Sequence, residues 1–157
     1  MRKFNFLILT VLLFGFGSLS QAEEKKAVYD LTTGDVEKIE SRLLGGIKDI
    51  ADYYKKQGDE FKAVVAISGK SYKYFVEDLK NSPYKDDKEL VAIQKKLAPL
   101  LKELAEDYGV RFDMCGAGMK ARKIKKESIY SFVHTDKIKP VYMIDWQNKG
   151  YAYMPMK

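Results

Sequence analysis

One residue in this chain carries ready nucleophilic sulfur chemistry. Cys115 is the only cysteine among 157 residues and stands in "GVRFDMCGAGMKAR", Gly109 to Arg122. A short apolar run leads up to the thiol, and Gly116, Gly118, Lys120, Arg122 and Lys123 follow it. A thiolate attacks sulfur compounds and binds soft metals. Free cysteine has a pKa of about 8.5, and a helix start or nearby cations lower it. The spacing places Cys115 at the carboxyl end of a strand, just before a helix. Gly116 and Gly118 leave room for a second molecule at the sulfur, and Lys120 and Arg122 favour an anion there. The expected site is therefore Cys115 as the reacting group, with Gly116, Gly118, Lys120 and Arg122 around the substrate.

Other chemistries compete for the same residues. A lone cysteine is often just a small buried hydrophobe. Gly116, Gly118 and Ala121, with Asp136 further on, mimic a dinucleotide fingerprint. That motif belongs at the first strand-to-helix turn, and here it falls late in the chain. Met114 and Met119 beside Cys115 suit Cu(I), but Met114 alternates with Cys115 across the strand and should point to the other face. His134, the single histidine, has no partner at zinc spacing and reads as a solvated loop residue. No serine sits in a nucleophile elbow. Neither a metal nor an organic cofactor is expected.

The elements that must position Cys115 are legible as alternating strands and helices. "AVYDL" (Ala27 to Leu31) reads as a first strand, and Thr33 and Asp35 offer helix caps. Val36, Ile39, Leu43, Ile47, Ile50 and Tyr54 mark one helix face, with Gly58 as its stop. "FKAVVAI" (Phe61 to Ile67) suits a strand buried on both faces. Tyr72, Phe75, Val76 and Leu79 suggest a short helix. Leu90 to Tyr108 repeats on helical spacing, with Pro99 expected to kink or split it. "VRFDM" (Val110 to Met114) is the next strand. Ile124, Ile129 and Phe132 suggest a helix over 120–133. "KPVYMIDWQ" fits either a strand or a strand passing into a helical turn, and "GYAYMP" an edge strand ended by Pro155. The alternation predicts one α/β domain in three layers, with a mainly parallel sheet and helices on both faces. In such sheets ligands bind beyond the carboxyl ends of the strands, the edge that carries Cys115.

The amino terminus reads as a secretory leader. Arg2 and Lys3 precede an apolar run over Phe4 to Phe16, and small residues stand at Ser20 and Ala22. The run is shorter than the roughly 20 residues of a membrane span. Cleavage after Ala22 is expected, giving an exported, periplasmic protein with no stable membrane insertion and one domain over 23–157. The formal charge of the whole chain is +6; without residues 1–22, which hold two basic and no acidic groups, it is +4. Acids are interspersed with the bases, so no nucleic-acid surface is expected. One cysteine rules out a disulfide framework, and the core must be hydrophobic.

On these residues the chain resembles the DsrE/DsrF-like family. "GVRFDMCGAGM" is similar to the family's cysteine segment. "DWQNKGYAYMP" is similar to the Leu-Gln-x-x-Gly-Tyr-Ala-Tyr-x-x-Pro ending of its exported branch. "VVAISGKSYKYF" (Val64 to Phe75) sits where that branch has a buried strand, a glycine turn and a helix. The resemblance implies a small α/β sandwich assembled into homo-oligomers, trimers or hexamers. For the sulfur-relay members, such as DsrE and TusD, it implies a cysteine that carries sulfane sulfur as a persulfide, and Cys115 is the matching position. Family members often place a polar side chain two or three residues after the cysteine; here Ala117 and Gly118 stand there. A single cysteine closes no intrachain disulfide, so it can cycle between thiol, persulfide and mixed disulfide with a donor or acceptor protein. That is the behaviour of a sulfur carrier, at most a sulfurtransferase-type one. The competing reading is an oligomeric binding or assembly module with an incidental cysteine.

Overall fold

The computed structural model describes residues 22–157; the leader expected over 1–22 lies, but for Ala22, outside the described residues. Five parallel strands form one sheet in the order β4-β3-β2-β1-β5. They are β1 (Glu24–Leu31), β2 (Glu60–Ile67), β3 (Arg111–Met114), β4 (Val133–His134) and β5 (Ala152–Met156). The three strands expected at the centre are there and adjacent. β1 and β2 are exposed at their charged starts and buried over their last five residues, so the carboxyl half of the sheet is the anchored half.

Strand parity divides the core into two layers. Tyr29, Leu31, Val65, Ile67, Phe112 and Met114 face the larger cluster, with Leu43 and Ile47 from the first helical segment and Leu97, Leu101 and Leu104 from the third helix. Val28, Val64 and Ala66 face the other way, against Met143 and Trp146. Helices therefore cover both faces, and the architecture is the expected three-layer α/β domain.

The crossover from β1 to β2 runs without a break through α1 (Val36–Lys38), a π-helical stretch (Ile39–Gly45) and α2 (Gly46–Gln57). Asp35 caps it by accepting from the Lys38 amide at 3.2 Å. Gly58, at φ 83°, ends it. The crossover from β2 to β3 is α3 (Lys88–Glu106), which Pro99 neither splits nor ends. Proline in a helix interior costs about 3 kcal/mol. Leu90, Leu97, Leu101 and Leu104 are fully buried on both sides of it, and each contributes roughly 1.5–3 kcal/mol of burial. The stripe outweighs the break, and Pro99 itself is exposed.

Three sequence expectations are corrected. Tyr72 to Leu79 holds only a 3-10 turn, Ser71–Phe75, followed by Val76 in an antiparallel bridge to Ile129. Tyr72, Tyr74, Phe75 and Val76 are all buried, and four such neighbours cannot share one α-helical stripe. The helix expected over 120–133 is instead α4 (Gly116–Ala121), a 3-10 turn at Lys126–Ser128, and β4. Lys123 adopts φ 56°, a left-handed conformation that no α-helix continues through. Ile124, Ile129 and Phe132 are spaced by five and three, and they meet the core from irregular backbone. Finally, "KPVYMIDWQ" lies within a helix, α5 (Lys139–Asn148), with Pro140 in its first turn, where a missing N–H costs nothing. β5 is the expected edge strand but runs one residue past Pro155.

Candidate functional site at the carboxyl end of β3

β3 delivers Cys115 to the carboxyl edge of the sheet. Its amide donates to the Ile67 carbonyl at 3.0 Å, prolonging the β2–β3 ladder by one residue. Its backbone then turns, and Cys115 occupies the cap position of α4 at φ −62°, ψ 109°. The side chain is half-buried.

Two helix starts converge on the sulfur. The first amides of α4 belong to Gly116, Ala117 and Gly118. The Gly116 amide donates to the Lys137 carbonyl at 3.0 Å, which draws the start of α5 alongside. Burial pushes the Cys115 thiol up, but the N–H groups of Gly118, Lys139 and Ala117 and the Tyr72 hydroxyl together hold it below its ordinary value. The sequence pointed to the helix start and the basic run. The helix start acts as expected, and the basic run is not among the main contributors.

Tyr72 is the functional neighbour that sequence reasoning missed. It is 1% exposed, and its hydroxyl donates to the Cys115 carbonyl at 3.1 Å from 43 residues away in the chain. A phenol has one proton, so the hydroxyl serves either that carbonyl or the sulfur, and a thiolate is the stronger acceptor. Burial, followed by the closeness of Cys115, pushes Tyr72 itself far up, so it stays a donor at neutral pH. Ala117 and Gly118, two and three residues after the cysteine, bring no polar side chain to it. Gly118 leaves that space empty and Tyr72 fills it. A Cβ on Gly118 would overlap the Tyr72 hydroxyl oxygen outright and stand 2.6 Å from its Cζ.

This changes the role expected of the glycines. Gly118 gives its space to Tyr72, while Gly116 packs closely on one side and lines an open depression on the other. A Cβ on Gly116 would stand 2.8 Å from the Thr135 carbonyl, so both glycines permit close packing of protein against protein. The same packing leaves no cradle for a dinucleotide pyrophosphate, and Asp136 is taken up by the Tyr142 hydroxyl at 2.8 Å. Met114 is fully buried in the large cluster and Met119 packs against it, so neither thioether stands free beside the thiol. Among the described residues no three His, Cys, Asp or Glu side chains gather as a metal site.

Of the two cations singled out, Arg122 joins the site and Lys120 stays apart. The Arg122 guanidinium lies 4.4 Å from the centre of the Tyr72 ring. It donates to the carbonyls of Gly118 at 3.2 Å and Gly69 at 2.9 Å. It thus ties α4 to the turn after β2 and covers the tyrosine. Lys120 is exposed. It lines an open depression of about 490 Å³ with Gly116, Ala117, Met119, Thr135 and Ile138, on the accessible side of α4.

Buried polar contacts fix α5, which supplies the Lys139 amide. Asp113 is fully buried, accepting from Arg111 Nε at 2.8 Å and from Trp146 Nε1 at 2.7 Å. Burial pushes its carboxyl up despite both donors. Asp30 accepts from Lys139 Nζ at 2.8 Å and from the Tyr153 hydroxyl at 3.0 Å. Both carboxylates lie on the α5 face of the sheet.

The strand-end cysteine lies within the part of the chain that a family model matches. The DsrE/DsrF-like model covers residues 48–156. The chain belongs to the DsrE/DsrF-like family. It is also 34% identical over 156 residues to an uncharacterized protein of Aquifex aeolicus (strain VF5), covering 99% of this chain. The chain spans 64% of that relative's length. Among solved structures, a protein of unknown function from Methanobacterium thermoautotrophicum, MTH1491, matches with a TM-score of 0.59 at 17% identity. That match covers 83% of this chain and 98% of the other. It shows that the DsrE-like chain shares that protein's fold.

Proposed function

We propose that this DsrE/DsrF-like protein carries sulfane sulfur as a persulfide on Cys115 and passes it to a partner protein. The observation that carries the reading is the set of donors around a half-buried thiol: amides from two helix starts and one buried phenol. They favour the thiolate, which is the attacking species. With thiosulfate as donor, the Cys115 thiolate attacks the outer sulfur, a new S–S bond forms, and the donor's S–S bond breaks as sulfite leaves with the electron pair. In the second step an acceptor thiolate attacks the outer sulfur of the persulfide, and the Cys115 thiolate leaves. A lower thiol pKa makes it the better leaving group, so the same donors serve both steps. Electrons balance without any further oxidant.

The reading extends to place and assembly. The basic start and apolar run within residues 1–22 favour export to the periplasm. Ile138, Val141 and Ile144 on the outer side of α5, with Tyr153 on the same face of β5, are exposed apolar side chains. They support a homo-oligomer, because such a stripe on a small domain is best covered by another copy.

Intact-mass measurement after incubation with thiosulfate or polysulfide tests the function. The expected result is a gain of one or more sulfur atoms that a reductant removes and that Cys115→Ser does not acquire. A wild-type chain that gains no sulfur would leave an assembly module with an incidental cysteine.

A further inference from the structure

The carboxyl edge of the sheet holds a second feature, separate from the thiol. The chain leaves β1 through α1 and α2 on the face of the large core cluster, and it reaches β5 through α5 on the opposite face. Adjacent strands whose crossovers run to opposite faces open a crevice between them. That crevice, beyond the carboxyl ends, is where open α/β sheets bind ligands. In this sheet the switch falls between β1 and β5. A cavity of about 890 Å³ opens beside it, over the carboxyl ends of β1 and β2, lined by Thr32 to Asp35 after β1, by Gly69, Lys70 and Lys73 after β2, by Tyr84 and Arg122, and by Lys157 just past β5. Cys115 is not part of its wall.

The walls are preformed. The Thr32 and Thr33 amides donate to the Met156 carbonyl at 2.9 and 3.2 Å, and the Lys70 amide donates to the Thr32 carbonyl at 2.9 Å. The buried Tyr74 donates its hydroxyl to the Gly34 carbonyl at 2.6 Å. A Cβ on Gly34 would stand 2.8 Å from Lys70 Cβ, and one on Gly69 would stand 2.6 Å from the Thr32 carbonyl oxygen. Gly69 also needs its φ of 65°. Both glycines let the loops after β1 and β2 close on each other and fix the stem of Lys70.

The charge on these walls is unbalanced. Lys70, Lys73 and Arg122 form no ion pair among the described residues. Asp35 is the one carboxylate side chain on the wall, and it is engaged as the helix cap. On the other face of the sheet, Lys139 pairs with Asp30 and Lys137 with Asp145. Three cations around one preformed cavity, against a single engaged carboxylate side chain, give it a positive potential that favours an anion. The cavity is also far larger than a bare anion. Its volume falls in the range of small-molecule sites, and Tyr84 offers a ring for an apolar body.

We infer that this cavity binds a small organic molecule with a tetrahedral oxyanion head, a phosphate or a sulfur oxyanion, held by Lys70, Lys73 and Arg122 with its body against Tyr84. The cavity adjoins the thiol site through Arg122, but Cys115 is not among its walls and no sulfur on Cys115 is needed for binding.

Amide chemical-shift titration of the full chain tests it with four probes: phenyl phosphate, phenyl sulfate, inorganic phosphate and the neutral benzyl alcohol. The expected result is saturable shifts at Thr33, Gly34, Gly69 and Lys70 with at least one phenyl ester, which binds tighter than inorganic phosphate, and none with benzyl alcohol. The two esters distinguish the head. The double charge reversal K70E/K73E should weaken binding at least tenfold while leaving the remaining amide spectrum folded. Cys115→Ser should bind as the wild type does, so failure here is separate from failure of the persulfide reading. Shifts that do not saturate, equal binding by benzyl alcohol, or a K70E/K73E variant that binds unchanged would each overturn the proposal.

Discussion

Replacing Gly118 by alanine pits two effects of opposite sign against each other, and the structure decides between them. In a helix, alanine is favoured over glycine by up to about 1 kcal/mol. Against that, the added methyl overlaps the Tyr72 hydroxyl and stands 2.6 Å from Cζ and 3.2 Å from Cε2. Tyr72 is 1% exposed, its hydroxyl is tied to Cys115, and Arg122 covers its ring, so it has no free direction to yield. Overpacking a well-filled interior costs about 1–3 kcal/mol. The net expectation is a destabilisation of about 1–2 kcal/mol, together with displacement of the phenol from the sulfur. Urea unfolding gives the first quantity, and the pH dependence of the iodoacetamide rate gives the second, with the thiol titrating higher than in wild type. Tyr72→Leu as background removes the obstacle, and there Gly118→Ala should turn neutral or stabilising. A Gly118→Ala protein that is more stable than wild type, with an unchanged thiol, would show that Tyr72 does not hold the site.

Further outcomes follow from the same contacts. Tyr72→Phe should keep the fold, raise the pH at which Cys115 becomes reactive, and slow alkylation at pH 7 by a few-fold, since a donor to a charged acceptor is lost. Trp146→Phe leaves one oxygen of the buried Asp113 without its donor and should cost about 1–3 kcal/mol in urea unfolding; an unchanged midpoint would mean another group replaces the indole. The folded-state pKa of Cys115 is lowered, so the native chain sheds this proton before the unfolded one. Wild-type stability relative to Cys115→Ser should therefore rise with pH from the folded value up to about 8.5 and be lost as pH falls through the folded value. A stability difference flat across that window would contradict the lowered thiol.

How much of this was legible in the sequence depended on whether a signal was local. The apolar runs at Ala27, Phe61 and Val110 each carried strand, depth and order, because a parallel sheet buries both faces of its central strands. Gly58 and Asp35 marked helix ends through local backbone chemistry. Cys115 could be placed at a strand end because the glycines after it cannot continue a strand. The error over 120–133 arose where three apolar residues suggested a period that is not helical. α5 was ambiguous because Val141, Tyr142, Met143 and Ile144 suit a strand equally well, and only Tyr142 and Met143 of the four are buried. The donors at the sulfur from Tyr72 and Lys139 lie on other elements and exist only once β2, β3 and α5 are assembled. Gly118 was the trace of Tyr72 in the sequence, but a glycine beside a thiol reads as open space until its neighbour is known.

Cyanolysis tests the central claim most directly, because cyanide attacks sulfane sulfur and releases thiocyanate while the carrier thiolate leaves. The protein is loaded with thiosulfate or polysulfide, freed of excess reagent, and treated with cyanide. The account predicts about one thiocyanate per chain from wild type when Cys115 holds a single sulfur, none from Cys115→Ser, and a thiol that loads again afterwards. No thiocyanate from the loaded wild type, or an equal yield from Cys115→Ser, would contradict it.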